Sequence, residues 1–132
     1  MNNIFGIGTD IVDISRIKKI FNNNKKFKKR VFSLKEIKYC ESKTDKIASY
    51  SKRFAAKEAF AKSIGTGFRN NLNFKDISIT NNKAGKPSFL INEKLKKIIK
   101  KHFKTLSVNF FLSISDEKKY SVAFVILQKN ND

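Results

Sequence analysis

The segment that most limits how this chain can fold is Arg53-Phe54-Ala55-Ala56-Lys57-Glu58-Ala59-Phe60-Ala61-Lys62, which runs into Gly65-Thr66-Gly67. Alanines around a helix let neighbouring elements approach closely, so this helix is predicted to be well buried. It is expected to start near Thr44 or Asp45 and to run to Ile64, with Ile47, Tyr50 and Phe54 as early core positions. Gly65-Thr66-Gly67 ends it, because glycine takes the left-handed conformation after a helix at little cost. Glu58 and Lys62 sit four apart and share one face with Phe54 and Ala55. On a polar surface they would form an ordinary helical ion pair contributing ~0.2–0.5 kcal/mol. On an alanine-lined helix a buried charge costs several kcal/mol unless it is paired or metal-bound.

A second constraint lies near the start. Residues 4–12 read as a strand running into a helix near Asp13 or Ser15. Side chains alternate along a strand, so Phe5, Ile7, Thr9 and Ile11 point one way while Gly6, Gly8 and Asp10 point the other. One face is thus stripped to backbone and ends in a carboxylate. Such glycines mark either the close approach of a ligand or backbone, or simply a bulge or tight packing. Asp10 and Glu58 together could supply the one or two carboxylates that Mg²⁺ takes from protein, with phosphate oxygens and waters completing its octahedron. Arg53, Lys57, Lys62 and the Gly65-Thr66-Gly67 backbone could hold phosphates.

The remaining pattern gives one α+β domain over residues 1–132 with an antiparallel sheet packed with helices. Ile14, Ile17 and Phe21 recur at helical spacing after the first strand. Ser33-Leu34-Lys35-Glu36 matches a capping box, a sufficient structural task for Glu36. Strands are expected over Asp76–Thr80 and Lys86–Ile91. Asn92 is placed to cap a helix through His102, with Leu95, Ile98 and Ile99 inward. A final hairpin pairs residues 107–115 with 120–128.

Charge is a strong compositional signal. There are 29 Lys+Arg against 11 Asp+Glu, a formal net charge of +18. Such a surface attracts nucleic acid, anionic lipid, phosphorylated cofactors or an acidic protein. A composition rich in Lys, Asn, Ile and Phe is also what an AT-rich coding sequence yields, so charge alone names no partner. Single-strand binders need exposed aromatics along a basic groove. Phe21, Phe54 and Phe110 fall at core-like positions here, leaving Phe27 and Phe68 as candidates for exposure. The single cysteine, Cys40, excludes an internal disulfide and a multi-cysteine zinc site. No apolar run approaches the ~20 residues needed to cross a bilayer. The opening residues do not look like a secretory signal, so the expected home is the cytoplasm, or an organelle if a transit peptide has been removed.

Three blocks are similar to the holo-acyl-carrier-protein synthase family, the short bacterial type of 4′-phosphopantetheinyl transferase. They are Gly6-Ile7-Gly8-Thr9-Asp10-Ile11 with Arg16-Ile17; Arg30-Val31-Phe32-Ser33-Leu34-Lys35-Glu36; and Arg53 through Gly67. Gly85-Lys86-Pro87 and Ser113-Ile114-Ser115 before Tyr120 are weaker echoes in the same order. The resemblance implies a 4′-phosphopantetheinyl transferase-like fold and transfer of phosphopantetheine from coenzyme A to a carrier serine. It implies Mg²⁺, with Mn²⁺ as the alternative, on Asp10 and Glu58. Arg53, Lys62, Gly65, Thr66 and Gly67 would contact coenzyme A. Glu58 would be the base, directly or through water, ahead of Glu36. An acidic acyl carrier protein would dock on Arg16, Ile20 and Lys26. A homotrimer with sites at its interfaces is expected, with neither membrane nor nucleic acid as partner.

One departure is visible. Asp116 stands where the family usually has a histidine near the cofactor phosphates, and the only histidine, His102, lies on the preceding helix. That departure keeps a catalytically dead homologue open as a rival. A broad-specificity transferase is a further rival, and the length of 132 residues argues against it because such chains are generally longer and two-module.

Overall fold

A computed structural model describes residues 3–69 and 71–130. Strand β1 (Ile4–Asp13) leads into helix α1 (Ile14–Asn23), followed by α2 (Phe27–Val31), α3 (Leu34–Glu41) and the long α4 (Lys46–Ile64). A 3₁₀ turn at Phe74–Asp76 precedes β2 (Ser78–Asn81) and β3 (Pro87–Leu90). Then come α5 (Glu93–Phe103), β4 (Val108–Asp116) and β5 (Tyr120–Lys129). The antiparallel strands form two sheets rather than the one expected: a three-stranded β1-β5-β4 sheet and a separate β2-β3 pair.

Local chemistry explains the helix ends. Asp13 caps α1 by accepting from the Ser15 amide, Asp45 caps α4 through the Ala48 amide, and Asn92 caps α5 through the Leu95 amide. The Ser33/Glu36 capping box forms with both of its hydrogen bonds. Gly65, at a φ of 90°, ends α4. Helix α2 was not foreseen: its lysine-rich sequence lacks a periodic apolar stripe, and it is held by the rings around Phe27.

The glycine face of β1 settles against α4. A methyl group at Gly8 would overlap the carbonyl oxygen of Ala59, and one at Gly6 would overlap that of Ser63. Backbone lies directly on backbone, so close packing decides the question that the sequence left open. The two periodicities match. Alternate strand residues advance ~6.8 Å while one i, i+4 helical step advances ~6.0 Å. Ala55, Ala56 and Ala59 of α4 join Val12, Ala123 and Val125 of the sheet in the central core. A second cluster joins Phe60, Ala61 and Ile64 to α5 through Leu95 and Ile99, and a third gathers Val31, Phe32, Cys40 and Tyr50.

Phe27 and Phe68 are not exposed as anticipated. Phe27 meets Phe21, Phe32 and Phe54 at ring-centroid distances of 5.5, 6.4 and 5.9 Å, and Phe68 stacks on Phe74 at 3.8 Å. The opposite sheet face is open and mainly apolar, with hydroxyl side chains at Thr9, Ser113 and Ser115. Its rows read Ile7-Ile126-Phe111, Thr9-Phe124-Ser113 and Ile11-Val122-Ser115. Ile7 and Ile11 are 57% and 64% exposed, and Phe111 and Phe124 are also exposed.

Overpacking a core costs about 1–3 kcal/mol when neighbouring side chains can shift. At Gly8 the neighbour is helix backbone, so Gly8→Ala is expected to meet or exceed the top of that range. Urea unfolding checks this: a loss below about 1 kcal/mol would show that the β1–α4 seam can open.

Candidate active site

Asp10 follows Gly8 on the same face of β1, and the backbone contact carries it alongside α4. Lys62 closes the gap. Its ammonium donates to the Thr9 carbonyl at 2.9 Å and to Asp10 Oδ1 at 3.2 Å. The helical Glu58–Lys62 pair suggested by the spacing is not formed. Lys62 turns to the strand instead, and among the described residues no hydrogen bond or ion pair engages the Glu58 carboxylate. Burial pushes the Glu58 carboxyl above its ordinary value, and the neighbouring Asp10 charge pushes it further, with Lys62 opposing. Asp10 is raised as well, by burial, against the hydrogen bond and charge of Lys62.

These groups line a cavity of about 280 Å³ together with Arg16, Ile17, Ile20 and Phe54. The structure thus joins the predicted carboxylates to Lys62 and to two of the three predicted docking residues. Lys26 lies outside that wall. It is exposed where α1 turns into α2, and Lys25, Lys28 and Lys29 line a neighbouring hollow.

A half-buried carboxylate without a protein partner, beside a second carboxylate, is a donor set suited to a hard divalent cation. No cluster of three or more His, Cys, Asp or Glu occurs among the described residues. Two carboxylates fit Mg²⁺, which usually keeps waters and takes substrate phosphates as its other ligands.

The phosphate-binding expectations divide. Lys57 is fully buried, donating to Glu36 Oε1 at 2.7 Å, to the Phe74 carbonyl at 2.9 Å and to the Ile77 carbonyl. It is a tie between α3, α4 and the chain entering β2, and it cannot reach a ligand. Glu36 is equally committed. It accepts from the Ser33 and Ile79 amides at 3.0 and 3.3 Å and lies 3.8 Å from Arg53 Nε. It stands as a structural group rather than a base.

Arg53 is buried but lines a second cavity of about 470 Å³ with Tyr39, Lys43, Lys52, Asn81 and Asp116. It donates to Asn81 Oδ1 at 2.7 Å, and its guanidinium lies 4.0 Å from the Tyr39 ring centre. Gly65, Thr66 and Gly67 line a third hollow with Phe68 and Arg69 at the end of α4. Within one protomer the predicted coenzyme contacts therefore occupy three places along one helix. Sequence reading missed Tyr39, Lys43, Lys52 and Asn81. The only signal was the placement of Tyr39 one turn beyond Glu36 on α3. His102 lies in the last turn of α5, edge-on to Phe103 at 4.6 Å, as a helix-end residue would.

The 4′-phosphopantetheinyl transferase superfamily model matches residues 6–125. A holo-[acyl-carrier-protein] synthase of Pelagibacter ubique is 65% identical over 126 residues, covering 96% of this chain and 98% of that one. Among solved structures, the holo-[acyl-carrier-protein] synthase of Neisseria meningitidis superposes with a TM-score of 0.86 at 36% identity, covering 96% of this chain and 99% of that chain. The Bacillus anthracis synthase, described in complex with CoA (3′,5′-ADP), gives 0.79 at 31% identity, covering 97% and 99%.

Two substitutions should move stability in opposite directions. Glu36→Ala strands the Lys57 ammonium and is expected to cost about 3–5 kcal/mol. Glu58→Gln should raise the melting temperature of metal-free protein at neutral pH, because the folded state holds that charge unfavourably. A carboxyl raised on folding destabilises fully above its folded pKa, and the penalty vanishes as pH falls toward the ordinary carboxylate value. The Gln advantage should fade over that same window. Melting curves from pH 7 to pH 4 check both signs, and a lower melting temperature for Glu58→Gln would contradict the unpaired carboxylate.

Proposed function

The chain belongs to the 4′-phosphopantetheinyl transferase superfamily, and on that premise we propose that it transfers phosphopantetheine from coenzyme A to a serine of apo acyl carrier protein. Adenosine 3′,5′-bisphosphate is the other product. The observation that carries this reading is the cavity joining Asp10, Glu58 and Lys62 to Arg16 and Ile20. It sets a cation-ready carboxylate pair beside a basic, partly apolar ledge.

Asp10 and Glu58 would hold Mg²⁺, with Mn²⁺ as the alternative; when bound, it neutralises charge on the phosphoryl group in transfer. Lys62 is already within reach of Asp10 and contacts the donor's phosphates, stabilising charge as it develops. Glu58 takes the serine proton directly or through water. Arg53 and the Gly65-Thr66-Gly67 backbone hold other parts of coenzyme A. Arg16, Ile20 and Lys26 dock the acidic carrier. The reaction belongs in the cytoplasm, and no helix among the described residues is long and apolar enough to cross a membrane.

A homotrimer with active sites at its interfaces accounts for two features together. The open apolar sheet face gives a second copy something to cover. A neighbour's Arg53 cavity could complete the Lys62 cavity, which would reunite contacts separated along α4. A nucleic-acid module is disfavoured, because, of the exposed aromatics, Phe111 and Phe124 lie in rows without a charged residue, Phe5 stacks on Phe103, and Tyr120 stands opposite an acidic residue, Asp13.

Intact-mass spectrometry of apo carrier protein incubated with this protein, coenzyme A and Mg²⁺ should show a gain of one phosphopantetheine that EDTA abolishes. Asp10→Ala and Glu58→Ala should each reduce transfer at least about a hundredfold while still folding. Near-normal turnover by either would break the metal assignment.

Arg16→Glu is expected to raise KM for the carrier by about tenfold or more, against less than twofold for coenzyme A. Equal effects on both substrates would remove the docking role.

A further inference from the structure

Asp116, the residue that departs from the family pattern, ends β4 opposite Ser121. Its Oδ2 lies 3.7 Å from the ammonium of Lys52, and both residues line the Arg53 cavity. The three cations of that cavity are held very differently. Arg53 is fixed by Asn81, Glu36 and the Tyr39 ring. Lys43 lies 4.5 Å from the centre of the same ring. Lys52 has only Asp116 as an ionic partner among the described residues, and the two side chains are 39% and 40% exposed.

A pair this exposed is worth about 0–1 kcal/mol. Charge-assisted hydrogen bonds to a phosphate are stronger than a loose ion pair at this separation. The carboxylate therefore keeps the ammonium at the cavity wall and can surrender it to an entering phosphate at little cost. Asp116 itself is exposed enough to turn its charge toward water. Asp45, the other acid on the wall, already accepts from the Ala48 amide as the α4 cap.

We propose that Lys52 is a phosphate-contact residue for coenzyme A and that Asp116 is its exchangeable counter-ion. Asp116 occupies Lys52 in the free protein and releases it when the ligand binds. The inference rests on the reading of coenzyme A as donor, and it adds a cation that the three sequence blocks did not single out.

Calorimetric titration with coenzyme A tests it without needing turnover. Lys52→Ala should weaken binding about fivefold or more, and Lys52→Arg should restore most of the loss. Asp116→Asn should tighten binding, and the gain should shrink in a Lys52→Ala background. Repeating the titrations with 3′-dephospho-coenzyme A locates the contact. An effect lost there assigns Lys52 to the 3′-phosphate, and an effect retained assigns it to the pyrophosphate. Unchanged binding by Lys52→Ala, weaker binding by Asp116→Asn, or strict additivity of the two changes would overturn the exchange. Coenzyme A binding by wild type without transfer to any apo carrier would sink the transferase reading and leave the ion-pair result standing. No binding by wild type would remove both.

Discussion

Everything at the candidate site depends on backbone touching backbone where β1 crosses α4. Gly6 and Gly8 place the strand directly on the carbonyls of Ser63 and Ala59, and no side chain intervenes. Because the strand and helix repeats nearly match, the next residue on that face, Asp10, is delivered to the flank of α4. Lys62 then bridges helix to strand through Thr9 and Asp10. Among the described residues Glu58 is left half-buried without a hydrogen-bond or ion-pair partner of its own. The chemistry is a by-product of the packing: the alanines and glycines that let two elements approach also deny the carboxylates solvent.

Helix α4 serves two different demands with residues that look alike in sequence. Arg53, Lys57 and Lys62 are all cations on one helix, yet only Lys62 is substantially exposed. Lys57 spends its charge on Glu36 and two carbonyls and locks α3 and the approach to β2 onto the helix. Arg53 is intermediate, tied down on one side by Glu36 and Asn81 while forming part of a cavity wall. Buried pairs of this kind add little net stability but are costly to break, so they fix arrangement more than they add strength.

The parts of this arrangement that could be read beforehand are those encoded by spacing. The alanine pattern, a start near Thr44 or Asp45 and the glycine at 65 delimited α4, and alternation along β1 put Asp10 on the glycine side. What spacing could not distinguish was the use of each charge. Nothing local separates Lys57 from Lys62, because their roles are set by Glu36, Phe74 and Ile77, which arrive from elsewhere in the chain. Helix α2 and the partial burial of Phe27 were hidden for the same reason, since their support is the aromatic cluster around Phe21, Phe32 and Phe54. The Tyr39–Lys43–Lys52 wall was invisible because it is assembled from α3, the loop that follows it and α4.

The seam between β1 and α4 has a mechanical consequence. Interfaces made of side chains can relax by switching rotamers, and their spacing drifts when a neighbour changes. A seam of bare backbone has no rotamers to switch, so it acts as a fixed gauge for the gap between Asp10 and Glu58. Adjustment to the radius of whatever sits in that gap must come from the torsions of the two carboxylate arms, because the main chain that carries them is held at one separation. Size discrimination at such a site would start from a separation set by the main chain, with the lengths of the two carboxylate arms as its only other determinant.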